Sequence, residues 1–242
     1  MRRMNLINID FSAFPEGGVA VVIGVQGGVG RALMAALEGA PAFARVMGFS
    51  RNGTVPVDIV AEPTIMAAAQ TLAGQEVRLV IDATGFLHGD GLMPEKSFRE
   101  LSADHLARSF AVNALGPALL MKHFLPLLPR QGRAVFATLS ARVGSIGDNQ
   151  IGGWYSYRAA KAALNQLVHT AAIEVKRNKP EAVCVALHPG TVESALSAPF
   201  AKSGLNVRPP DEAARDLLAV ISRLEPAQSG GFFDYRGEVV AW

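Results

Sequence analysis

The run Val19-Ala-Val-Val-Ile-Gly-Val25 constrains this chain most, because a short unbroken apolar stretch suits a strand covered on both faces. Glycine-rich residues follow at once, and then the helix-like Arg31-Ala-Leu-Met-Ala-Ala-Leu-Glu38. The rhythm recurs, with strand-like runs at Arg45–Phe49, Val55–Val60, Val77–Ala83, Arg133–Leu139, Val183–Leu187 and near Gly231–Tyr235, and helical segments between most of them. Long helices are expected over Ala103–Leu128, bent or ended by its prolines, and over Trp154–Lys179, ended by Pro180; a shorter one fits Asp211–Leu224. Alternating β and α units predict a mainly parallel sheet with helices on both faces. No repeat or linker divides residues 1–242, so one domain is expected after a polar extension over residues 1–17.

Half of the residues are hydrophobic and 18% are charged, enough apolar surface for a continuous core and no basis for disorder. The 23 basic and 21 acidic residues are scattered, leaving a formal charge of +2 without the basic block that a nucleic-acid backbone demands. Cys184, the one cysteine, excludes an intrachain disulfide and sits in the apolar run Val183–Leu187, as a buried strand residue would. Asn5, Asn8 and Asp10 interrupt the N-terminal apolar residues, so no signal peptide is read there. Asn113, Lys122, His123 and three prolines interrupt the apolar stretch Ala111–Pro129, which argues against a bilayer span and for a cytoplasmic protein.

Gly24-Val-Gln26-Gly-Gly28-Val29-Gly30 joins the first strand to the first helix. Its glycines let the backbone turn tightly and approach a pyrophosphate that the helix N-terminus would face. The fold class expected is therefore a Rossmann-type doubly wound α/β domain of about seven strands. The second strand ends in Ser50-Arg51, where such a fold tests the adenosine ribose. Arg51 can hold a 2′-phosphate, so NADP(H) is preferred, with NAD(H) possible. Asp58 can accept from the adenine amino group or cap the next helix.

Tyr157-Arg-Ala-Ala-Lys161 puts a phenol and an ammonium one turn apart on one helix face. A phenol titrates near pH ~10, and an adjacent ammonium stabilises its anion. Each feature also has a plainer reading: a surface Tyr/Lys pair, a ligand-free glycine turn, and an Asn113 satisfied by a backbone carbonyl.

Taken in chain order, these motifs make the sequence resemble the short-chain dehydrogenase/reductase family along nearly its whole length. Gly24, Gly28 and Gly30 match its glycine motif, and Asp82-Ala83-Thr84-Gly85 stands where the family has Asn-Asn-Ala-Gly. Asn113 matches the helix asparagine, and Pro189-Gly190 with Val192 and Ser194 matches the segment that meets the nicotinamide. Gly144–Asn149 through Tyr157 is most similar to the branch of C-factor and sniffer-type carbonyl reductases.

The resemblance implies hydride transfer between NADP(H) and a carbonyl or alcohol, with Tyr157 as acid/base and Lys161 tuning it and holding the nicotinamide ribose. It further implies an Asn113-anchored water chain and a serine polarising the carbonyl. Three departures stand out: Ile23 in place of a threonine, Asp82 and Thr84 in the fourth-strand motif, and Ala141 at the position of the catalytic serine. Ser140 is the first candidate to take over, although alternation along a strand points it away from position 141; Ser145, on the loop, is the other. The Ala141 departure keeps open a second class, a dinucleotide-binding regulator without turnover.

Residues 191–210, with Leu196, Pro199, Phe200 and Leu205, are expected to cover a small or medium-sized apolar carbonyl substrate. His88 and His188 lie in loops without spaced partners, so no metal site is expected. Alanine-rich faces of the Trp154–Lys179 helix predict a homodimer or homotetramer, with no membrane or nucleic-acid partner.

Overall fold

A computed structural model describes residues 9–194, 196–200 and 207–242. Six strands form one parallel sheet: β1 Gly18–Ile23, β2 Phe43–Phe49, β3 Val77–Asp82, β4 Ala134–Leu139, β5 Ala182–His188 and β6 Phe232–Asp234. Their order is β2-β1-β3-β4-β5-β6, so the chain reverses its direction of travel between β1 and β3. In a doubly wound sheet, that reversal opens a crevice beyond the carboxyl ends of the strands. The helices are α1 Gly28–Leu37, α2 Glu62–Gln70, α3 Ala103–Phe110, α4 Gly116–Phe124, α5 Tyr155–Lys176 and α6 Pro210–Arg223.

Strand alternation divides the core into two layers. Val21, Phe136, Cys184 and Ala186 face Ile65, Leu120, Phe124, Leu164 and Val168 of α2, α4 and α5. Their neighbours Val22, Val135, Val183 and Val185 face Leu33, Leu37, Leu217 and Ile221 of α1 and α6. Period-2 side-chain direction in strands buried on both faces produces this partition.

The sequence-based reading needs two corrections. Val55–Val60 is not a strand and contributes only an isolated Ser50–Pro56 bridge, which lowers the expected seven strands to six. Pro56 lacks an N–H for a ladder, and Thr64 folds back so that its Oγ1 accepts from Asp58 N at 3.0 Å, which turns the chain into α2. The N-terminal extension is not merely polar in its described part, since Phe11 and Phe14 are buried and meet Phe43 edge-on at 5.3 and 5.6 Å. The long helix runs unbroken from Ala103 to Leu127 but passes through a π turn at Ala111–Leu115 and ends in a 3-10 turn containing Pro126. By length and composition this run could cross a bilayer; half of its most apolar stretch is buried inside the domain, as in a core helix.

Gly30 is required by packing. A Cβ there would lie 2.3 Å from the carbonyl oxygen of Gly24, a backbone atom held in the turn. Gly30→Ala should therefore destabilise the fold by ~1–3 kcal/mol, read as a lowered midpoint in urea unfolding. An unchanged midpoint would show that the β1–α1 turn relaxes freely.

Candidate active site

The carboxyl ends of β1 to β5 surround a cavity of about 990 Å³, large enough for an extended ligand and a small one together. Gly24 begins its near wall at φ +91°, and its N–H donates to Phe49 O at 2.8 Å. Gln26, Gly28 and Val29 line the cavity beside it. Gly30 packs on Gly24 and is not a lining residue. The cap residue of α1, Gly27, makes no side-chain capping bond, and the first turn holds no acid. Its uncapped amides therefore leave a site for an anion at the cavity wall.

Ser50, Arg51 and Asp58 lie on the far wall. Among the described residues Arg51 has no ion-pair partner, which leaves its guanidinium available to a phosphate. Asp58 Oδ1 accepts from Val60 N at 3.1 Å and does not cap α2, whose cap residue is Ala61. Ala83, Thr84 and Gly85 form the floor, and Pro189, Gly190, Val192 and Ser194 the opposite rim.

The two sequence departures at the end of β3 are coupled. Asp82 Oδ1 accepts from Thr84 N at 3.0 Å and Thr84 Oγ1 at 2.6 Å, while Oδ2 accepts from Thr138 Oγ1 at 2.7 Å. A carboxylate, which only accepts, suits three donors. Burial raises the Asp82 pKa, against the Thr84 and Thr138 hydrogen bonds and the Lys161 charge.

Tyr157 and Lys161 both line the cavity from α5, with Lys161 Nζ 5.8 Å from the Tyr157 ring centre. Lys161 is 2% exposed, and its Nζ donates to Leu139 O at 2.7 Å, which ties α5 to the end of β4. Burial lowers the Lys161 pKa to about 8, with Asp82 acting in the opposite direction. Burial also raises the Tyr157 pKa, so the phenol keeps its proton at neutral pH.

Three predicted residues are placed differently from the rest. Asn113, fully buried, is not a lining residue; it clamps the peptide of Phe86, accepting from Phe86 N at 2.9 Å and donating to Phe86 O at 2.7 Å. Ser140 touches the cavity, but its hydroxyl donates to Asn165 Oδ1 at 2.7 Å. Ser145 is buried outside the lining, and its Oγ accepts from Asp148 N at 3.1 Å. Ala141 itself lines the cavity without a hydroxyl.

The geometry also brings in residues that the sequence did not single out. Glu95 is 1% exposed; one oxygen accepts from Ser156 N at 3.2 Å, the other from the Ser156 hydroxyl, and His105 Nδ1 lies 3.4 Å away. The carboxylate thus caps α5 one residue before Tyr157, where the helix dipole favours an anion. No local pattern marks it, because its partners are about 61 residues downstream. Trp154 enters α5 at φ 51°, after Gly152 and Gly153 at φ 70° and 64°. Its ring lies 6.3 Å from Tyr157 and 5.0 Å from Phe200, making an aromatic wall. Leu205 lies outside the described residues, as do Ala195 and residues 201–206 of the expected covering segment.

Residues 14–208 match the family model described as enoyl-(acyl carrier protein) reductase. Over 186 residues the chain is 32% identical to 1-hydroxy-2-glutathionyl-2-methyl-3-butene dehydrogenase of Rhodococcus sp. (strain AD45), covering 77% of this chain and 78% of that one. The chain belongs to the short-chain dehydrogenase/reductase family. This short-chain dehydrogenase/reductase is also 39% identical over 138 residues to the C-signal protein of Myxococcus xanthus, across 57% of its own length and 78% of the relative's. Its fold is that of the NADPH-bound carbonyl reductase from chicken fatty liver, with a TM-score of 0.81, 24% identity, and 94% and 95% of the two chains covered.

Two outcomes follow for this short-chain dehydrogenase/reductase. Glu95→Ala should cost ~3–5 kcal/mol of stability by leaving the start of α5 and His105 without their buried partner, measured by thermal unfolding. Burial lowers the His188 pKa to about 4, with Asp234 opposing and Arg142 assisting. The unfolded imidazole takes its proton near pH ~6.5, so His188 should reduce stability progressively as pH falls from there to about 4 and have no effect above that window. Urea unfolding of His188→Gln should show a smaller loss across the same window, and equal losses would mean that the ring is not held neutral.

Proposed function

We propose that this family member is an NADP-dependent carbonyl reductase, with Tyr157 as the proton donor to the carbonyl oxygen. The observation that carries the reading is the meeting of the Tyr157/Lys161 pair with the uncapped α1 amides in one cavity. The residues fit a dinucleotide: Gly28 and the α1 amides would hold the pyrophosphate, Arg51 a 2′-phosphate, and Pro189 to Val192 the carboxamide end. The related carbonyl reductase from chicken fatty liver, whose structure holds NADPH, adds support for the same cofactor. When bound, NADPH supplies the hydride that adds to the carbonyl carbon.

The protein's own part is positioning and proton delivery. Neutral Tyr157 donates its proton to the developing alkoxide, and the resulting phenolate is stabilised by the nearby Lys161 ammonium. Asn113 holds the loop after Gly85 in place, and the π turn around it would free a backbone carbonyl to anchor the water that restores the Tyr157 proton. Trp154, Leu196 and Phe200 would enclose an apolar substrate, with the described part of residues 191–200 as its cover. Exposed Leu106, Phe110, Leu115 and Leu167 on α3, the π turn and α5 would pair two copies into a homodimer or a larger assembly.

A second reading, a cofactor-bound signalling protein without turnover, draws on the C-signal relative and on Ala141. Turnover of NADPH with a panel of aldehydes, ketones and quinones separates the two. Tyr157→Phe should lower kcat by about 10²- to 10⁴-fold with NADPH affinity intact. NADPH binding without any oxidation would favour the signalling reading.

Arg51→Ala tests the cofactor choice. Loss of a charge-assisted contact should weaken NADPH binding by about 10- to 100-fold and leave NADH nearly unchanged in a fluorescence titration. Equal losses would overturn the 2′-phosphate assignment.

A further inference from the structure

The carbonyl oxygen of the proposed substrate has one donor in Tyr157 and none from position 141. The Ser140 hydroxyl donates to Asn165 Oδ1, and Ser145, whose Oγ accepts from Asp148 N, lies outside the cavity lining. A further donor lies one strand away. Ser140 N donates to Leu187 O at 2.8 Å, so His188 follows beside Ser140 at the end of the β4–β5 ladder. Ala182, Cys184 and Ala186 of β5 face the core layer of α5, and by alternation His188 faces the same helix.

Two polar atoms near this corner are buried without partners, Asn165 Nδ2 and His188 Nδ1. One is an amide donor, and the other is a ring nitrogen that can accept. Each is unfavourable if left unmatched, so pairing them through a bridging water removes both penalties. Asn165 is already oriented for this, because the Ser140 hydroxyl occupies its Oδ1.

His188 also lines the cavity, and with Nδ1 sealed the nitrogen it offers there is Nε2. Burial keeps the ring neutral at pH 7, although Asp234 beside it favours the charged form. A neutral imidazole carries a single N–H, and acceptance at Nδ1 puts that hydrogen on Nε2. Such a ring donates a hydrogen bond without releasing a proton, as a serine hydroxyl at position 141 would.

We propose that His188 is a catalytic residue: its Nε2–H donates to the carbonyl oxygen of the substrate, and Asn165 holds the tautomer that makes this possible. The inference rests on the carbonyl-reductase reading above. The proton still comes from Tyr157, and His188 stabilises the oxyanion formed on hydride addition.

Steady-state turnover and NADPH binding test it in His188→Ala, His188→Gln, the double variant His188→Ala/Ala141→Ser, and Tyr157→Phe. His188→Ala should lose about 10²- to 10³-fold in kcat with NADPH affinity unchanged. Ala141→Ser should recover most of that loss in the double variant, and His188→Gln, which keeps a donor near Nε2, should stay within about tenfold of the natural protein. Rescue by serine separates chemistry from structure, since a packing role of the ring would not be restored from position 141. Full turnover in His188→Ala, failure of the rescue, or a loss confined to NADPH affinity would each overturn the inference. A fully active Tyr157→Phe, or no turnover by the natural protein, would instead overturn the underlying reading and this inference with it.

Discussion

The buried bond from Lys161 Nζ to the carbonyl of Leu139 fixes the geometry on which the site depends. It closes α5 onto β4 at the point where the strand ends, and so sets the position of Tyr157 in the cavity wall and of Asn165 beside Ser140. Gly144 allows the approach, because a Cβ there would lie 2.8 Å from the Lys161 Cβ. An amine in so dry a place is costly, and its lowered pKa reflects that cost. Asp82 supplies the compensating charge from the next strand, within a carboxylate cluster that Thr84 and Thr138 complete. The unusual Asp82 and Thr84 thus form a self-consistent replacement: an acid at one position is matched by a hydroxyl two residues on.

Much of the architecture could be read from the chain because its signals are local. Short apolar runs followed by glycine or polar turns mark β1, β3, β4 and β5, and the Tyr157/Lys161 spacing places both side chains on one helix face. The reading failed where a local signal competed with another. Val55–Val60 has strand-like valines, but Pro56 and the Asp58–Thr64 contacts divert it into a turn. Phe11 and Phe14 were hidden in a polar context, and only their meeting with Phe43 reveals them as core.

The site was less legible than the fold for a related reason. The walls formed by Gly24–Val29 and by Ser50 and Arg51 are encoded in contiguous motifs, whereas Glu95, Asn165 and His188 join the Tyr157/Lys161 pair by tertiary contact alone. Glu95 reaches α5 across about 61 residues, and His188 and Asn165 are each tied to Ser140 only through the β4–β5 ladder and the packing of α5. The serine question was blurred for another reason: the irregularity common at strand ends favoured Ser140, while the fold turns its hydroxyl to Asn165.

The division of the interior into two layers has an evolutionary consequence. Helix α1, which borders the cavity with its uncapped amides, shares its packing with α6, while α5, bearing Tyr157 and Lys161, shares the other layer with α2 and α4. A change of volume in one layer is absorbed mostly among its own side chains, with the backbone of the sheet as a stiff partition. Selection can therefore repack the side chains under α5 without disturbing the turn that leads into α1, which lets one half of the cavity diversify while the other is kept.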